Sequence, residues 1–71
     1  MDKKDKRLIW RWLKVLNTKG YYVLRICGNI YPIDSGRQII RAYRAILKAP
    51  TDIQTERLKE AKITLSYLGL K

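Results

Sequence analysis

A chain of 71 residues has room for one domain, and a fold of that size buries only about 60% of its unfolded surface, so nearly every apolar stretch is needed for the core. A hydrophobic share of 46% argues against wholesale disorder, and a lone cysteine, Cys27, excludes an internal disulfide and with it the stapled secreted mini-proteins. Sixteen Lys and Arg against six Asp and Glu, with no His, leave a net charge of +10, a self-repulsion that calls for an anionic partner.

In chain order, residues 3–16 read as an amphipathic helix. At about 100° per residue, Leu8, Ile9, Trp12, Leu13, Val15 and Leu16 fall in one arc about 160° wide. Lys3, Arg7, Arg11 and Lys14 line the opposite side. Asp2 stands where an N-cap is wanted, and Asn17 followed by Gly20 reads as the exit. A strand would put Arg11 on the face of Ile9 and Leu13, which fits worse. The charged start and the run Leu8 to Leu16 imitate a secretory leader, but Arg11 and Lys14 interrupt the run and no small-residue cleavage site follows. Neither a leader nor a membrane span is expected, and the location is read as cytoplasmic.

Residues 21–33 change character. Tyr21, Tyr22, Val23, Leu24, Arg25 and Ile26 form a β-rich run, Gly28-Asn29 is a two-residue hairpin signal, and Ile30, Tyr31 and Ile33 supply the return. Pro32 cannot donate to a ladder, which makes the return strand an edge.

Asp34 or Ser35 offers the cap of a second helix over 36–48, which Pro50 stops. Its expected core face is Ile39, Ile40, Tyr43, Ile46 and Leu47. Thr51 and Gln54 resemble a capping box opening a third helix over 52–68, with Leu58, Ala61, Leu65 and Leu68 as the buried stripe. Ile63, Leu65 and Tyr67 also alternate with Thr64 and Ser66, so a short strand is the competing reading at 63–70. The expectation is an α+β fold, a single small domain of order α-β-β-α-α, with a two-stranded hairpin packed with three helices.

The sequence offers little for catalysis. Without His the commonest general base is missing, and one Cys with dispersed acids gives no metal-ligand spacing. The four glycines are scattered and build no phosphate-binding loop. Asp34-Ser35 is explained by capping, and Cys27 reads as a small hydrophobe flanking the turn, with no base to activate it. No enzyme, no cofactor and no metal are expected.

The charge pattern is more informative. From Lys6 to Lys48 ten basic residues stand with a single acid, Asp34, whereas the chain from Asp52 onward is nearly neutral. Arg37, Arg41, Arg44 and Lys48, spaced four, three and four, share a helical arc of about 60°. Stacked like charges weaken an isolated helix by a few tenths of a kcal/mol per pair. A phosphate backbone would offset that cost, because the guanidinium fork matches phosphate oxygens. The plain alternative is a solvated face, but such faces usually mix signs.

A second stripe, Lys3, Arg7, Arg11 and Lys14, is bordered by Trp10, which either stacks on a base or covers the edge of the core. Lys19 and Arg25 would extend the basic surface, while Tyr21, Tyr22 and Tyr31 read as packing residues. The candidate polyanion-binding residues are therefore Arg37, Arg41, Arg44, Lys48, Arg7, Arg11, Lys14 and Arg25. On the third helix Ile63 and Tyr67 project away from the buried stripe beside Glu56 and Glu60, and self-association as a homodimer is one reading of them.

Over residues 21–48, a hairpin followed by an arginine-bearing helix resembles small sheet-plus-helix DNA-binding domains such as integrase arm-binding domains. Those domains read DNA with a three-stranded sheet; only two strands are evident here, and the resemblance assigns no residue. The leading expectation is a nucleic-acid-binding protein, DNA or RNA, acting as a small regulator or accessory factor. The alternative is an inhibitor or adaptor whose basic face docks on an acidic or nucleic-acid-binding groove of a larger protein. A membrane-surface role for the first helix ranks last, because it would take that helix's apolar arc away from a small core.

Overall fold

The computed structural model describes residues 1–19 and 23–67. Helix α1 spans Lys3–Thr18, strands β1 Val23–Ile26 and β2 Asn29–Pro32 form an antiparallel hairpin, and helices α2 Gly36–Lys48 and α3 Thr51–Tyr67 follow. The order is the expected α-β-β-α-α. Tyr21, Tyr22 and Leu68, assigned from sequence to the hairpin and the third helix, lie outside the described residues.

α1 packs against both later helices, and the hairpin packs against α2. The shared core is Ile9, Trp12, Leu13 and Leu16 of α1, Leu24 and Ile26 of β1, Ile39, Ala42 and Ile46 of α2, Ala61 and Leu65 of α3, and the connecting residues Ile33 and Ala49. Four residues of the apolar arc of α1 are thus in the core, with Leu8 and Val15 partly buried against it. Among the described residues no helix is long and apolar enough to cross a membrane.

Several local expectations need correction. Asp2 occupies the N-cap of α1, but its side chain makes no capping bond; its backbone carbonyl accepts from the Lys6 N–H at 3.0 Å. Asn17 does not stop α1, which runs on to Thr18. Its amide instead donates to the Ile33 carbonyl at 3.4 Å, tying the helix to the end of the hairpin. In α2 the inward residues are Ile39, Ala42 and Ile46, while Ile40, expected in the core, is 45% exposed. Ile40 lies about 100° around the helix from Ile39, and the small Ala42 takes the inward position.

The hairpin turn is Cys27-Gly28, one residue earlier than Gly28-Asn29, since Ile26 pairs with Asn29. Both turn residues have positive φ, 52° and 83°, as a type I′ turn requires. Pro32 accounts for the choice. A two-residue loop is closed by a hydrogen-bonded pair, and bonded and non-bonded pairs then alternate. Counting from Ile26–Asn29, Pro32 opposite Val23 falls in a non-bonded pair, where its missing N–H costs nothing. Closing on Cys27 and Ile30 would move Pro32 into a bonded pair.

Thr51 and Gln54 form no capping box. The Pro50 carbonyl accepts from both Ile53 and Gln54 N–H groups, so Thr51 already lies inside the first turn. The Gln54 side chain turns back instead and donates to the carbonyls of Ile46 and Leu47, at 3.2 and 3.0 Å. It thereby supplies a donor to the Leu47 carbonyl at the end of α2 and a second one to the Ile46 carbonyl, which also accepts from the Ala49 N–H at 3.1 Å. At 63–67 the helical reading holds, with Ala61 and Leu65 buried and Ile63 and Tyr67 at 69% and 88% exposure.

Candidate polyanion-binding surface

α2 owes its position to a short set of local contacts. The Ser35 hydroxyl accepts from the Gln38 N–H at 3.4 Å, so of the two candidates Ser35 is the N-cap of α2. Ile39, Ala42 and Ile46 pull one side of α2 into the core. The opposite side carries Arg37, Arg41, Arg44 and Lys48, all exposed, and no acid stands in the helix.

Only part of that stripe meets another element. Arg41, Arg44 and Lys48 line an open hollow of about 330 Å³ together with Ala45 and Tyr31. Strand pairing explains the presence of Tyr31. It lies opposite Leu24, which is buried, so both side chains project toward the helical layer. Tyr31 is half-buried there, packed at the edge of the core. Arg37, one turn earlier, stays outside the hollow.

A second, smaller hollow of about 210 Å³ adjoins the first and shares Tyr31, Ala45 and Lys48 with it. Its remaining walls are Ile26, Cys27, Asn29 and Ala49. Cys27 is exposed and sits in the turn itself, where the sequence reading had it flanking the turn. Ala45 and Ala49, one turn apart, leave the space that larger side chains would fill.

The α1 residues form a separate patch. Arg7 and Arg11 flank a shallow depression of about 120 Å³ with Lys4 and Leu8, and Lys14 is exposed beyond it. Trp10 is half-buried, its ring edge-to-face with Tyr43 of α2 at a centroid separation of 5.2 Å. It therefore covers the rim of the core between the two helices. Arg25 belongs to neither patch, because the pairing places it on the outer face of the hairpin, on the opposite side from Leu24 and Ile26.

Arg57, which sequence reasoning passed over, joins α3 to the hairpin. One guanidinium nitrogen pairs with Glu60 at 2.9 Å and another donates to the Arg25 carbonyl at 2.6 Å. The three-residue spacing of Arg57 and Glu60 is a legible helical ion pair, but its reach to the hairpin is not. Among the described residues no group of three His, Cys, Asp or Glu side chains is placed to hold a metal ion.

No protein-family model, curated protein or solved structure matches the chain.

Proposed function

We propose that this protein binds nucleic acid, as a small regulator or accessory factor without enzymatic activity of its own, and that α2 supplies the principal contact. The observation that carries the reading is the hollow that Arg41, Arg44 and Lys48 line together with Tyr31. Three cations converge there on a helix with no acid to neutralise them, beside an aromatic ring and small apolar side chains. Guanidinium groups bind phosphate oxygens in fork geometry, and an adjoining aromatic residue suits a base or sugar. The Arg7 and Arg11 patch on α1 would lengthen the electrostatic footprint.

Total charge and local placement are separable by experiment. Arg41→Glu with Arg44→Glu, and Lys59→Glu with Lys62→Glu on α3, each lower the net charge by four from +10. All four positions are exposed. If α2 is the contact surface, the first pair abolishes retention of labelled oligonucleotides and the second weakens it only modestly. Equal losses would mean that the protein is no more than a diffuse polycation.

A further inference from the structure

The two hollows at the junction of β2 and α2 share one wall. Tyr31, Ala45 and Lys48 line both, with Arg41 and Arg44 completing the larger and Ile26, Cys27, Asn29 and Ala49 the smaller. Resting on the nucleic-acid reading above, we infer that this junction is a single-strand site. Two successive unstacked bases sit on either side of Tyr31, and Arg41, Arg44 and Lys48 hold the phosphates between and beside them.

The chemistry of the walls distinguishes a single strand from a duplex. A duplex offers its phosphates on a stiff convex surface and keeps its bases stacked inside. It would meet the cations and leave the apolar walls of the hollows wet. An unpaired strand exposes flat apolar rings together with charged linkages, and the junction matches both halves. Ala45 and Ala49 on one side and Ile26 and Tyr31 on the other are apolar, while the rim is cationic. Stacking on an aromatic ring tolerates any base, so this site would select strandedness over sequence. Asn29 is the one side-chain amide among the residues that line the smaller hollow, and it can hydrogen-bond a base edge.

The test uses variants that leave every charge in place. Tyr31→Leu keeps an apolar side chain at the core edge but removes the ring, Tyr31→Phe keeps the ring, and Ala45→Leu fills both hollows from a good helix position. Fluorescence anisotropy against oligo(dT), oligo(U) and a mixed-sequence duplex, in one buffer, reads the outcome. Wild-type protein should favour a single strand over the duplex. Tyr31→Leu and Ala45→Leu should each lose roughly 10- to 100-fold on single strands, clearly more than on the duplex and with the salt dependence unchanged, while Tyr31→Phe stays close to wild type. The two single-strand arms decide between DNA and RNA as the source. Preference for the duplex, or equal losses on all three probes, overturns the single-strand site and leaves the nucleic-acid reading standing. Absence of binding to every probe removes both. Should Tyr31→Leu melt early by circular dichroism, Ala45→Leu, which leaves Tyr31 untouched, carries the same test.

Discussion

Trp10 of α1 and Tyr43 of α2 meet edge to face, ring centroids 5.2 Å apart and planes at 76°. Each is followed directly by an arginine, Arg11 and Arg44, so the contact that closes the rim of the core also fixes how the two basic helices face solvent. Aromatic pairs of this geometry contribute about 0.5–1.5 kcal/mol beyond the area they bury. Trp10→Ala should therefore cost about 2 kcal/mol in urea unfolding. A double-mutant cycle with Tyr43→Ala should leave a coupling of about 1 kcal/mol. Strictly additive losses would show that the rings are neighbours without mutual stabilisation.

The turn at Cys27-Gly28 should respond to conformational preference alone. Cys27 is exposed at φ 52°, a region that costs ordinary L-residues about 1–2 kcal/mol and that Asn tolerates better. Cys27→Asn should raise the melting temperature by a few degrees, whereas Cys27→Val should lower it by more, since a β-branched side chain is poorly accommodated there. Gly28→Ala meets open space but keeps a φ of +83°, so it should destabilise by about 1 kcal/mol through backbone strain. Equal stability of the Asn and Val variants would contradict the turn.

Gln54 gives a third expectation, with a pH signature. Its amide donates to the Ile46 and Leu47 carbonyls at the end of α2. Gln54→Ala should cost about 1–2 kcal/mol. Gln54→Glu should cost more at neutral pH, because a carboxylate has nothing to donate and faces two carbonyl oxygens. Those oxygens raise the folded-state pKa of the new carboxyl above its usual ~4.3. Its penalty is then fully present at neutral pH and fades as the pH falls through that raised value. A Gln54→Glu deficit that does not shrink on acidification, measured by denaturant titration at pH 7 and pH 4, would show that Gln54 does not cap α2.

The element order was legible from periodicity, because in so small a chain the apolar arcs have few other places to go. The inward arc of α1 appears as expected, with Ile9, Trp12, Leu13 and Leu16 buried. Ala42, fully buried, is less legible than Ile40 because a methyl side chain carries little apolar signal. The turn was misplaced because the Gly-Asn pair is a strong local signal, while the register answers to Pro32 four residues on. Gln54 misled for a similar reason: the helix-start pattern was present, but Pro50 had already supplied the start. All eight candidate basic residues are exposed. The two helical stripes are legible in the spacing, but the hollow shared by Arg41, Arg44 and Lys48 is not, since Tyr31 of β2 and Ala45 of α2 line it from different elements.

Contact of Arg41 and Arg44 with phosphates has a direct signature in the salt dependence of binding. Each neutralised phosphate releases counterions, so the logarithm of affinity falls linearly with the logarithm of salt, by about 0.7 per contact on a single strand and about 0.9 on a duplex. The measurement is affinity for an oligonucleotide between roughly 50 and 200 mM salt, for the wild type and for Arg41→Ala with Arg44→Ala. Ala favours the helix, so the fold is retained. The double variant should flatten the slope by roughly 1.4 on a single strand, or roughly 2 on a duplex, with similar weakening on every sequence. An unchanged slope with unchanged affinity would contradict it, and would turn attention to an acidic protein surface as the partner of this helix.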